Sequence, residues 1–142
     1  MPRRRYLVYS PGSGGCRIPD AVKKDVSDRI LRVAEEKFKG KYTRLDIRFK
    51  GPFCYIDAFL EPYIPKNWRP RGWPETREEH IRRLRDTPTH LCRLRYFSPD
   101  RWGFAFYTYS NEKYELSAYP NGEFMGKPED AFLTSARVYL MK

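Results

Sequence analysis

Arginine alternates with apolar side chains twice in this chain, in Arg44-Leu45-Asp46-Ile47-Arg48 and in Cys92-Arg93-Leu94-Arg95. A period of two puts every second side chain on one side of a strand. If Leu45, Ile47, Cys54, Ile56, Cys92 and Leu94 face a core, the opposite side gathers Arg44, Asp46, Arg48, Tyr55, Asp57, Phe59, Arg93, Arg95, Phe97, Tyr107 and Tyr109. Guanidinium groups neutralise phosphates. Aromatic rings stack on bases, at about 1–3 kcal/mol per base. Sheet-based binders of single-stranded RNA and DNA combine the two. Arg44, Arg48, Tyr55, Arg93, Arg95, Phe97, Tyr107 and Tyr109 are therefore the candidate nucleic-acid-binding residues. The competing expectation is ordinary packing under a helix or a partner chain, because tyrosine suits a half-buried pleat.

A second cluster lies in the proline-rich stretch 62–74, where Trp68, Arg69, Arg71 and Trp73 put two indoles and two guanidiniums side by side. Tryptophan and arginine are the usual anchors of interfaces. Trp68 and Trp73 thus mark a candidate interaction loop, for a protein partner or a homodimer, and Arg69 and Arg71 a continuation of the basic track.

Other chemistry has thinner support. His90 and Cys92, two apart on one strand, are expected on the same face, and with His80 they raise a zinc reading. No standard ligand spacing backs it, and no metal or cofactor is expected. Asp46 and Asp57 are placed to face each other across a Gly51-Pro52 turn. Two carboxylates near arginines are the elements of a magnesium-dependent nuclease, the third reading of the chain. The glycine-rich run before Pro19 matches neither a P-loop nor a dinucleotide fingerprint. No residue is singled out as catalytic, and a noncatalytic binding module is the favoured expectation.

The elements that must hold these groups follow from periodicity. Val22, Val26, Ile30 and Val33 form one apolar stripe of a helix that opens at Pro19 and stops at Gly40. Strands are predicted over Thr43 to Lys50, Phe53 to Leu60, His90 to Phe97, Phe104 to Tyr109 and Tyr114 to Tyr119. A further short strand is predicted at Arg5 to Tyr9. Thr76 and Glu79 have capping-box spacing, opening a short helix. Ser98 to Gly103 and Ser110 to Lys113 read as hairpin connections. Asn121-Gly122 is a type I′ turn signal, leading to a stub at Glu123 to Met125. A last helix starts at Pro128 and buries Phe132, Ala136, Tyr139 and Leu140. The expected fold is one α+β domain. Its five-stranded, mainly antiparallel meander sheet is flanked by N-terminal and C-terminal helices, with a short helix inserted between the second and third strands. Residues 1–17 are read as a flexible, basic, glycine-rich segment and residues 18–142 as the domain.

Composition bounds the function classes. The chain has 142 residues, 28 Lys and Arg against 18 Asp and Glu, and a net charge of +10. The basic excess sits in residues 1–40 and 63–101, whereas 102–142 is slightly acidic. Such an excess attracts polyanions. With 16% aromatic residues the chain is not a disordered tail. Three unclustered cysteines, Cys16, Cys54 and Cys92, make no disulfide framework. No apolar run is long enough to span a membrane, so neither a membrane partner nor a location outside the cytoplasm is expected.

Overall fold

Val26, Ile30 and Ala34 recur at a spacing of four, and they are the residues that helix α1 (Asp20–Lys37) buries. Pro19 is its N-cap, one position before the first helical turn, and Phe38 closes it by donating its N–H to the Ala34 carbonyl at 2.9 Å. The computed structural model describes residues 14–141; the strand expected at Arg5 to Tyr9 lies outside them. After α1 come β1 (Arg44–Lys50), β2 (Phe53–Phe59), α2 (Arg77–Arg85), β3 (Thr89–Ser98), β4 (Arg101–Thr108), β5 (Lys113–Ser117), β6 (Met125–Gly126) and α3 (Pro128–Tyr139).

The sheet runs in the order β1-β2-β3-β4-β5, every pairing antiparallel, and β6 extends beside β4 next to β5. This is the expected α+β meander with a helix at each end and a short helix between β2 and β3. Helices α1 and α3 pack on each other and on one face of the sheet. There Val26, Ile30, Phe38, Phe132 and Ala136 meet Cys54, Ile56, Cys92, Leu94, Trp102 and Phe104 in a single buried cluster. Phe38 meets Phe132 edge-on at 5.9 Å. Arg29 of α1 ties this layer together. Its guanidinium donates to Glu129 at 2.6 and 2.9 Å, to Asp100 at 2.7 Å and to Asp25 at 3.3 Å, so one side chain joins α1, the β3–β4 turn and α3. These bonds hold the Arg29 pKa above its ordinary value, Glu129 contributing most.

Two connections differ from expectation. Ser98 pairs with Arg101, so the β3–β4 loop is only Pro99-Asp100 and β4 begins earlier than Phe104. Trp102 is the reason: it is fully buried in the core, and its indole N–H reaches back to the Pro99 carbonyl at 3.0 Å. The turn at Asn121-Gly122 is not type I′, which needs a positive φ at both residues. Gly122 has φ 86°, but Glu112 alone among the described non-glycine residues has a positive φ. Pro120, with its φ locked by the ring, takes the second position of a turn closed by Gly122 N–H to Tyr119 O at 2.8 Å. The returning strand accordingly starts at Met125 rather than Glu123.

Residues Gly14–Ile18 run along the β1–β2 hairpin and β3. Cys16 N–H donates to Tyr96 O at 3.0 Å, and Ile18 N–H to Gly51 O at 3.2 Å. Gly15 is required there: its φ is 92°, and a Cβ would stand 2.8 Å from the Tyr96 carbonyl. None of the helices in the described residues is long and apolar enough to cross a membrane.

Candidate nucleic-acid interface

The second face of the sheet carries neither α1 nor α3. Its side chains are half-buried or exposed, apart from Asp57 and Ala105. The register assembles it in rows across the strands. Lys50, Phe53 and Arg95 form one row, and Arg48, Tyr55, Arg93, Ala105 and Leu116 the next. Asp46, Asp57 and His90 form a third, with Tyr107 opposite Tyr114 beyond them. Arg44 lies opposite Phe59, its guanidinium 4.1 Å from that ring.

Tyr55 on β2 and Tyr114 on β5 meet edge-on at 5.7 Å with two strands between them. On a flat sheet, strands that far apart are separated by roughly 14 Å. The rings therefore lean together across β3 and β4, where the small, buried Ala105 leaves room. Tyr107 completes the aromatic group, at 5.0 Å from Tyr114 and 4.7 Å from Tyr109. Burial, with the Asp57 charge adding to it, raises the Tyr114 hydroxyl above its ordinary range.

Arg93 and Arg95 both lie against one ring. Each guanidinium lies 4.5 Å from the Phe53 centroid, and Arg93 is also 5.5 Å from Tyr114. Neither pairs with a carboxylate among the described residues; Arg95 donates to the Gly14 carbonyl at 2.9 Å. Burial, then the like charge of Arg93, lowers the Arg95 pKa from its ordinary value. An anion bound beside both cations relieves that repulsion.

Asp57 is 2% exposed and is the only buried charged residue among those described. Oδ2 accepts from Arg48 Nη2 at 2.9 Å, and Oδ1 faces His90 Nδ1 at 2.9 Å. Arg48 Nε lies 3.1 Å from Asp46, so one guanidinium bridges the two aspartates that the register sets opposite each other. The His90 ring lies 4.8 Å from Tyr107 and stacks near Tyr109 at 6.4 Å. The His90 backbone N–H donates to the Tyr109 hydroxyl at 2.7 Å.

The structure thus collects Arg44, Arg48, Tyr55, Arg93, Arg95, Tyr107 and Tyr109 on or beside one face. Phe97 stands in the β3 irregularity between Tyr96 and Ser98 and joins none of the ring contacts among the described residues. Arg69 and Arg71 stay exposed in the excursion between β2 and β3. That excursion folds on itself: Trp68 stacks on His80 of α2 at 4.3 Å, and Trp73 meets Trp68 edge-on at 6.4 Å. Arg77 bonds the carbonyls of Ile64 and Pro65 at 2.8 and 2.9 Å, and the Thr76–Glu79 capping box forms. Lys66, Trp68, Arg69 and Trp73 line an open cleft of about 640 Å³ against the start of α2.

The expectation that His90 and Cys92 share a face is overturned. A register shift between Ile56 and Asp57 inserts Leu91 as an extra residue. One inserted residue reverses the alternation. Cys92 points into the core, where burial pushes its thiol up to about 12, while His90 turns to Asp57 on the other face. Among the described residues no group of three or more His, Cys, Asp and Glu side chains could hold a metal ion. Sequence reasoning missed His90, Tyr114 and Phe53 as members of this face. The signal for His90 was the break in alternation at Leu91-Cys92, two adjacent apolar residues in an otherwise regular strand. Compared with known families, curated proteins and solved structures, the chain matches none.

Proposed function

We propose that this protein binds single-stranded nucleic acid across the open face of its sheet. One observation carries the reading: Arg93 and Arg95, which pair with no carboxylate among the described residues, both lie 4.5 Å from the Phe53 ring, beside a cluster of tyrosines, on the face that α1 and α3 leave open. Phosphates would sit against Arg93 and Arg95, with Arg44 at the far margin. Bases would reach the rings of Phe53, Tyr55, Tyr107 and Tyr109. A single strand suits this better than a duplex, because unpaired bases expose the faces that stack.

The test is fluorescence anisotropy of labelled oligouridine and oligodeoxythymidine against salt. Affinity is expected to fall with a slope of about −0.7 per neutralised phosphate on a double-logarithmic plot. Arg93→Glu with Arg95→Glu is expected to remove most binding while leaving the thermal midpoint nearly unchanged. Equal affinity in that double variant would reject the face.

The Trp68–Trp73 loop supports a second reading, a protein contact, because Trp73 remains 48% exposed beside a basic cleft. Light scattering decides it for self-association: a dimer abolished by Trp73→Ala supports that reading, and a monomer removes the homodimer.

A further inference from the structure

A histidine that serves only packing or a surface ion pair needs no particular arrangement of its two nitrogens. His90 has one. Its Nδ1 lies 2.9 Å from a carboxylate oxygen of Asp57, so in the neutral ring facing an ionised Asp57 it is Nδ1 that carries the hydrogen and Nε2 that has the lone pair. Asp57 is itself held: it is 2% exposed and anchored by Arg48 at 2.9 Å. No buried side-chain nitrogen or oxygen among the described residues lacks a hydrogen-bond partner, and Nε2 makes no such bond, so Nε2 is not fully buried, in a side chain that is 34% exposed. The ring lies on the aromatic and arginine face, its centroid 4.8 Å from that of Tyr107. A carboxylate that fixes the tautomer and direction of an imidazole, leaving the far nitrogen free, is the arrangement of a general base.

We propose that this face cleaves the RNA it binds by internal transfer, with His90 as the general base. The inference rests on the single-strand reading above. Nε2 takes the proton from a ribose 2′-hydroxyl. The 2′-oxygen bonds to the adjacent phosphorus, and the bond from phosphorus to the 5′-oxygen breaks with its electron pair on that oxygen. The leaving oxygen takes a proton from water, and the hydroxide so formed recovers the proton from His90. The products are a 2′,3′-cyclic phosphate and a 5′-hydroxyl, and the substrate supplies its own nucleophile. Asp57 is a positioning residue. Arg48 uses Nε and Nη2 on Asp46 and Asp57, and its remaining N–H groups are left to donate to the phosphoryl oxygens on which charge grows. The same guanidinium already bridges the two carboxylates that a divalent cation would need.

The experiment incubates the full-length protein with end-labelled oligouridine in EDTA, alongside the same RNA fully 2′-O-methylated and the matching DNA. Unmodified RNA is expected to be cut to fragments ending in cyclic phosphate, while the other two bind and stay intact. H90Q is expected to lose about 10²–10⁴-fold in cleavage rate, far more than it loses in affinity. The methylated RNA tests the step on the wild-type protein should H90Q fail to fold. Bound but uncut RNA overturns the cleavage and leaves the binding reading standing. So does cutting of methylated RNA, cutting only when magnesium replaces EDTA, or H90Q cutting at the wild-type rate. No binding of any of the three strands overturns both.

Discussion

One sheet presents two faces built by the same strands, and they differ in what covers them. On the helix side Ile56, Leu94, Trp102 and Phe104 are fully buried beneath α1 and α3. On the other side Phe53, Tyr55, Tyr107 and Tyr114 remain half-exposed, and arginines lie over the rings of Phe53, Tyr55 and Tyr114. Both faces are rich in aromatic carbon. Beneath α1 and α3 the helix side has replaced water with hydrocarbon, which drives folding. The open side has laid cations over several of its rings, a contact worth about 0.5–1 kcal/mol at an exposed site. Aromatic content alone therefore does not distinguish a core from a platform. The arginines alternating with it do, because a guanidinium is almost never buried without a partner.

The comparison breaks most easily on the helix side. Phe104→Ala should cost about 3–5 kcal/mol in denaturant unfolding, against little for truncation of Phe53 across the sheet. Equal losses would mean that the two faces are covered alike. The next effect concerns Asp57, the charge that the open side buries. Asp57→Ala leaves Arg48 and His90 without their shared acceptor and should cost about 1–3 kcal/mol. Asp57→Asn, which keeps an acceptor, should cost less. A neutral result for Asp57→Ala would show that the pairing orients His90 without holding the fold.

The smallest effect falls on the excursion, which belongs to neither face. The Arg83 guanidinium, helped by His80 and Trp73, holds the Glu75 carboxyl at about 2, down from its usual 4.5. A depressed carboxylate contributes stability above its unfolded value, and that stability is lost as pH falls through the folded one. Tryptophan fluorescence from Trp68 and Trp73 should therefore change on acidification from 4.5 toward 2. Glu75→Gln should remove that step while leaving the sheet intact. An unchanged acid profile in Glu75→Gln would detach the excursion from this pair.

Much of the candidate site was legible because strand alternation is local. Arg44, Arg48, Arg93 and Arg95 stand out of phase with Leu45, Ile47, Cys92 and Leu94, and that phase sufficed to group them. Phe97 was misplaced and His90 missed for one reason: each adjoins an irregularity in β3, and an inserted residue shifts the parity of everything beyond it. Trp102 was assigned to a loop because Pro99-Asp100 and Gly103 look like a long turn. Only the demand of the core for a large ring pulls it into β4.

Apolar spacing, caps and turn residues by themselves determined that this chain makes a meander of strands with a helix at either end and a net positive charge. These are properties of neighbours along the backbone. Tertiary structure alone decided that α1 and α3 both chose the same side of the sheet, that the rings of β2 and β5 lean together, and that Asp57 found His90. Those outcomes depend on register and curvature between segments far apart in the chain, where one inserted residue turns a side chain from the core to the open face.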